Sequence, residues 1–447
     1  MTMLEILYQK KKVRLRVVQL TAYKQMKIVE THGKNGHTYY LFCYKSHFIN
    51  VKKTAAVHLH SFLARALREG FTFSTDHVLT NIFLQSKTAY PLITNNQMVD
   101  KLKKQFSATE RLYILAMFDN YIQPQKIQTL CKESFYQYRR NGQLKKAFQI
   151  VLHYHNALPS DSFANDMLQH TDFQKYRTLY ADIEQLAAGW SDPLYLENYI
   201  FDHHFPHSFI KPLFDQYGIE ERAFDQILLY YCQHDSLQDK LSLDQLPFAA
   251  YADKIQVSFW SELLPSHRFT RELMEQLLSL GAYDAILDYF LQTKEQPIEL
   301  DLLDQAAPHV SADFLAKRYQ QILPLITSLY EDHHQLDQLL KQLVKKLLSS
   351  TALSDLLACI DHNELPTVQK LRKIKQLTDN PDQQFVLGEI YYELGQYDKA
   401  IACFEWEMEL APDDTSPIQY LYKSHLANGD KEKAQTYQQL LATLPSS

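Results

Sequence analysis

Apolar and polar positions alternate with a period of two near the start of the chain and with a helical period after it. Val13, Leu15 and Val17 alternate with Arg14 and Arg16, the pattern of a strand with one buried face. Met26–Glu30 and Thr38–Tyr44 flank Gly33-Lys34-Asn35-Gly36. Asn-Gly accommodates the positive φ values of a type I′ turn, so these segments predict a β-hairpin. His47–Val51 supplies one more short strand, giving a unit of three or four strands. From about residue 55 the spacing becomes helical: Val57, Phe62, Leu63, Ala66 and Leu67 fit one helix. Ser107-Ala108-Thr109-Glu110 reads as a capping box ahead of Leu112, Ile114 and Leu115. Leu273, Met274, Leu277 and Leu278 form one apolar stripe; Leu336, Leu339, Leu340, Leu343, Val344 and Leu347 form a longer one. Strand patterns are hard to find after residue 60, so the body is expected to be all-α.

Two segments repeat at one spacing. Gly395, Tyr397, Ala400 and Phe404 belong to the first; Gly429 and Ala434 recur 34 residues after Gly395 and Ala400. Asn380-Pro381-Asp382-Gln383 places a cap, a first-turn proline and a glutamine ahead of the first copy, and Ser416-Pro417-Ile418-Gln419 repeats the pattern. Those two starts are 36 residues apart, which implies one turn longer by two residues.

On these residues, 381–447 resembles two tetratricopeptide repeats, helix hairpins that bury their apolar faces by stacking on neighbours. Gly388 and Ala400 match the small residues between paired helices, Leu387, Tyr391 and Phe404 the large apolar positions, and Pro412 the closing proline. Glu407 stands where alanine is normal and Gln438 where the second copy would repeat Phe404. Gly142, Ala147, Pro159 and Tyr138 extend the likeness to 128–161, and Gly281-Ala282-Tyr283 is a weaker echo. The resemblance implies a mainly α fold, an α-solenoid of helix hairpins behind a small basic β-rich unit. The segments would be 1–53 (β-rich), 54–127 (helical linker), 128–380 (degenerate helical repeats) and 381–447 (terminal repeat pair). It also implies a partner-binding groove lined by first helices. By position this comprises Asp382, Phe385, Glu389, Tyr392 and Glu393 at the C-terminal end, and Thr129, Lys132, Tyr136, Arg139 and Arg140 in 128–161. The two patches differ in charge, which favours two separate contacts over one extended ligand.

Composition narrows the function. The 447 residues include only 10 glycines, few for a sandwich or a phosphate-loop enzyme, and 5 cysteines without a Cys-x-x-Cys pair. No apolar run reaches 18 residues, so a cytoplasmic protein without a membrane span is expected. Residues 1–53 hold eleven Lys and Arg against Glu5 and Glu30, leaving the remainder of this −6 chain at −15. Lys10, Lys11, Lys12, Arg14 and Arg16, interleaved with Tyr8, Tyr39, Tyr40, Phe42 and Tyr44, form a basic patch. It could bind nucleic acid, dock on a protein surface, or serve as a solvated strand face. Asp202-His203-His204 with His207, and Asp332-His333-His334, carry metal-type ligands, but Pro206 interrupts the first and a helix start explains the second. His58 and His60 are two apart and diverge on a helix. No nucleophile, phosphate-loop or dinucleotide motif is present. The sequence therefore predicts a non-catalytic scaffold or adaptor that binds a peptide or protein and uses no cofactor. A peptide-responsive helical regulator and a nucleic-acid-associated protein are the alternatives.

Overall fold

A computed structural model describes residues 2–9, 11–34, 36–85, 89–248, 251–266, 270–293, 299–360, 364–378, 380–412 and 414–443. The chain forms two compact units, 1–259 and 260–447. It is mainly helical with an N-terminal β unit.

In the first unit the strands are β1 (Met3–Tyr8), β2 (Lys11–Tyr23), β3 (Met26–His32), β4 (Thr38–Tyr44), β5 (His47–Thr54), β6 (Phe71–Ser74) and β7 (Tyr90–Pro91). Their order is β5-β4-β3-β2-β1-β7, antiparallel from β5 to β1, with β7 parallel to β1 and β6 on β2. The hairpin expected around Gly33 and Gly36 pairs β3 with β4 from Met26↔Tyr44 to His32↔Thr38; Asn35 lies outside the described residues. β2 runs well past Val17, with a register shift between Val17 and Gln19 that lets one long strand bend. The sheet is barrel-like. Beside its two end strands, Asn50 on β5 imitates a backbone pair. Its Nδ2 donates to the Ile93 carbonyl at 3.0 Å and its Oδ1 accepts from the Ile93 N–H at 3.1 Å.

Three strands escape the sequence reading. β1 has no clean alternation, and β6 and β7 are too short to show a period. The last two gain their pairing from open edges of β2 and β1, which corrects the expectation of an all-α chain after residue 60. Met26, Ile28, Tyr40, Phe42 and Tyr44 share a core with the helices Phe62–Glu69, Asn95–Gln105, Ala108–Ala116, Pro124–Arg140 and Leu144–Ala157. Leu20, Val29, Leu41 and Val51 are buried as well. Strands covered on both faces lose their polar alternation.

Helix hairpins recur through both units with one type of turn. At Gly142, Gly281, Gly395 and Gly429 the glycine has φ between 66° and 86°. At Gly395, its N–H reaches the Tyr392 carbonyl at 3.0 Å and the Gln396 N–H reaches the Tyr391 carbonyl at 2.8 Å, the two bonds of a Schellman end. The same pair of bonds closes the helix ahead of the Ala223–Leu237 helix, where Glu221 occupies the left-handed position at φ 54°.

The C-terminal helices are Gln384–Glu393, Tyr397–Leu410, Thr415–Ala427 and Lys431–Thr443. Their starts correct the sequence reading. Asn380 accepts from the Asp382 N–H at 3.1 Å and opens a 3-10 turn at Pro381; Asp414, not Ser416, accepts from the Ser416 N–H at 2.9 Å and opens the helix at Thr415. The caps Asn380 and Asp414 therefore lie 34 residues apart, as do Gly395 and Gly429 and the second-helix starts Tyr397 and Lys431. Ala400 and Phe404 are fully buried, and a Cβ on Gly388 would lie 2.7 Å from Phe404 Cε1. Only glycine lets these helices approach so closely. Glu407 has a purpose that an alanine there could not serve: its Oε1 accepts from the Phe385 N–H at 2.9 Å, satisfying an otherwise open helix-start donor.

Candidate partner-binding site

Phe385, Glu389, Tyr392 and Glu393, four of the five C-terminal residues expected in a groove, lie around a residue that the sequence reading did not include. Tyr420, from the Thr415–Ala427 helix, lies 5.7 Å (ring centroids) from both Phe385 and Tyr392, edge to face, and stacks on Phe404 at 4.9 Å. Edge contacts of this kind add stability beyond buried area and fix the ring planes. Phe385, Glu389, Tyr392 and Tyr420 are half-buried, while Asp382 and Glu393 are exposed. A hydrogen bond to Glu389 is the largest cause raising the Tyr420 hydroxyl above its ordinary pKa. Glu393 is paired with Lys370 at 2.7 Å, so its charge has a partner within the chain. Lys423 lies 5.0 Å from the Tyr420 ring centroid. The result is an aromatic ledge with charges of both signs at its edge.

In the Pro124–Arg140 helix, the expected patch faces its own neighbours. Lys132 lies over the Phe163 ring at 5.0 Å, Tyr136 meets Phe135 edge to face at 5.1 Å, and Arg139 pairs with Asp172 at 2.5 Å. Arg140 donates to the Tyr136 carbonyl at 3.2 Å and Thr129 to the Gln125 carbonyl at 2.9 Å. Thr129, Tyr136 and Arg140 remain exposed beside these contacts, and Lys132 and Arg139 are half-buried.

Lys11, Lys12, Arg14 and Arg16 stand exposed on β2, and Lys10 lies outside the described residues. Glu5 on β1 holds Arg14 at 3.0 Å and Lys12 at 3.5 Å. Of the aromatic half of the proposed nucleic-acid surface, Tyr8 is exposed and Tyr39 is half-buried, but the other three members lie in the core. Tyr40, Phe42 and Tyr44 are at most 5% exposed, and Phe42 packs on Phe118 at 4.8 Å, because that strand face belongs to the core.

The metal-type residues also have other engagements. Asp202 pairs with Lys24 at 2.8 Å, the His203 ring stacks on Tyr199 at 3.9 Å, and Asp332 caps its helix by accepting from the His334 N–H at 2.8 Å. Among the described residues, no three His, Cys, Asp or Glu side chains converge as a ligand set. His58 and His60 lie in a loop rather than a helix and line one polar cleft of about 410 Å³ with Ser61, Asp119, Tyr154 and Asp161. Both Asp119 oxygens accept from the Phe62 N–H at 3.0 Å, and burial pushes this carboxyl up to about 6. Asp161 accepts from Gln128, Tyr154 and the Ala164 N–H, each at 2.9 Å. These carboxylates are committed to donors of the chain itself.

A buried charge cluster in the first unit had no signature in the sequence. Arg222 clamps Glu197 with two bonds of 2.8 and 2.9 Å and reaches Asp225 at 2.7 Å. Lys27, from β3, ion-pairs with the other Asp225 oxygen. Tyr217 donates to Glu197 at 2.8 Å, and its ring centroid lies 4.2 Å from the Arg222 guanidinium. Glu220 links Arg222 at 3.3 Å to Lys45 at 3.1 Å. Burial lowers the Lys27 pKa; for Asp225 burial acts upward but Arg222 and Lys27 outweigh it and hold the carboxyl low. The two fully buried cations and two buried carboxylates balance. Removing one partner would leave an uncompensated charge in the core.

No protein-family model matches the sequence, and comparison with curated proteins likewise finds no match. No helix among the described residues is long and apolar enough to cross a membrane.

Proposed function

We propose that the chain is a non-catalytic interaction protein whose C-terminal hairpins, tetratricopeptide-like and stacked as a short solenoid, receive a peptide or protein partner. The repeat reading draws support from the 34-residue recurrence of the cap, the left-handed glycine and the start of the second helix, three backbone features at one period. The observation that carries the binding reading is the ledge of Phe385, Tyr392 and Tyr420. Half-buried aromatic rings locked edge to face offer rigid contact area that loses little entropy on binding. Glu389 beside the Tyr420 hydroxyl gives the ledge an acceptor for a polar or basic group of the partner.

The test is affinity capture from a native lysate with the full chain, comparing wild type with a Tyr392→Ala, Tyr420→Ala double variant of matched helix content. The variant is expected to lose the proteins that wild type retains. An unchanged captured set would reject this face as the binding surface.

A further inference from the structure

The opposite partner of the hairpin, the Tyr397–Leu410 helix, presents a second face that none of the ledge residues lines. Ala402, Trp406 and Leu410 follow one another at intervals of four, so they form one row along this helix. Trp406 is 48% exposed and Leu410 64% exposed. Trp406 and Ala402, with Thr378, Pro381, Gln384 and Cys403, bound a cleft of about 350 Å³ that has no charged side chain among these described lining residues. Large apolar side chains scattered singly over a surface need no explanation, but a tryptophan at the lip of a cleft with a leucine one turn further on is a contiguous patch. Glu405 and Glu409 flank that row, also four apart and both exposed. Among the described residues neither forms a salt bridge, so these two like charges four apart remain available to a cation on a partner.

We propose that this face docks an amphipathic helix with basic flanks. The row from Ala402 to Leu410 covers about 12 Å at 1.5 Å per residue, two helical turns, which matches the apolar stripe of a partner helix laid along it. The stripe fills the cleft beside Trp406 and covers Leu410. Lysine or arginine on the partner's flank meets Glu405 and Glu409, the charge complementarity that selects a basic helix over an acidic one. This surface is independent of the aromatic ledge.

The experiment uses the full chain and two synthetic fluorescein-labelled helical peptides with the same leucine stripe, one flanked by lysines and one by glutamates. Fluorescence anisotropy is expected to show the lysine peptide binding at least about tenfold more tightly at low salt, with the advantage shrinking as salt rises. Trp406→Ala is expected to weaken it by about tenfold or more, since it removes the central apolar anchor of the face. Glu405→Lys with Glu409→Lys is expected to reverse the preference towards the glutamate peptide, an outcome that general stickiness cannot produce. Tyr392→Ala is expected to leave both affinities unchanged. Because Trp406 is half exposed, circular dichroism is expected to match wild type in its variant. Equal binding of the two peptides, or a Trp406→Ala variant with unaltered affinity, would overturn the proposal. So would a concentration-dependent dimer in sedimentation velocity that Trp406→Ala abolishes, since a second copy would then cover the face.

Discussion

Glu221 holds a left-handed backbone conformation, φ 54°, at a helix end where Gly142, Gly281, Gly395 and Gly429 serve elsewhere. A side chain in that conformation meets the adjacent carbonyl and costs about 1 kcal/mol, which glycine avoids. The Glu221 side chain is exposed, so its removal should sacrifice little. Glu221→Gly is therefore expected to raise stability by about 0.5–1 kcal/mol, read as a higher urea midpoint with unchanged slope. Asp119 carries a different residue-scale consequence. Its folded carboxyl sits at about 6 through burial, against about 3.9 in an unfolded chain. Between those values the folded protein keeps a proton that the unfolded chain has released, so this group stabilises at low pH and its contribution is lost as pH rises from about 4 to 6. Asp119→Asn retains an acceptor for the Phe62 N–H and removes the titration. The stability of the variant relative to wild type should climb by about 1–2 kcal/mol between pH 4 and 7, after allowance for partial exposure. Parallel stability curves would exclude Asp119 as the source.

At the scale of elements, the C-terminal hairpin depends on small residues where helices meet. Ala400 has no exposed surface and belongs to the cluster with Phe404 and Leu421, while Gly388 lies under the Phe404 ring. Ala400→Leu inserts three heavy atoms into a filled contact and is expected to cost about 1–3 kcal/mol in thermal or urea unfolding. Unchanged stability would mean the contact can open without penalty. The glycines and the Asn380 cap are legible in the sequence because they answer to local demands: a left-handed turn requires glycine, and an open helix start requires an oxygen two or three residues back. The hairpin at Glu221 was illegible for the same reason, since the position that should carry glycine carries glutamate. The cap at Asp414 was misread because Ser416 precedes a proline and looks the better start; only the hydrogen bond to the Ser416 N–H distinguishes them.

Within the first unit, the charge cluster joins β3 to two helices through four buried ionised groups, and the Tyr217 hydroxyl adds a third helix. Arg222→Ala would strand Glu197 and Asp225 without their shared cation, and a loss of about 3–5 kcal/mol is expected. Hydrogen exchange should locate it, with faster exchange in β3 and in the helices Pro193–Asp202, His207–Ile219 and Ala223–Leu237. Protection unchanged there would show that water enters and compensates the carboxylates.

The sequence by itself determined three features: a basic alternating hairpin region, long amphipathic helices, and a C-terminal period of 34 set by glycines. Each is a property of a few neighbouring residues, and backbone geometry enforces it wherever the chain ends up. Tertiary structure alone decided what covers the second face of a strand. It put Tyr40, Phe42 and Tyr44 into a core rather than on a nucleic-acid surface, and it lent β6 and β7 the edges that make them strands. It also brought Lys27 to Asp225 and Tyr420 to the expected groove residues. Such pairings join residues tens to hundreds of positions apart. Their energies come from desolvation and packing, which no local pattern of residue types encodes.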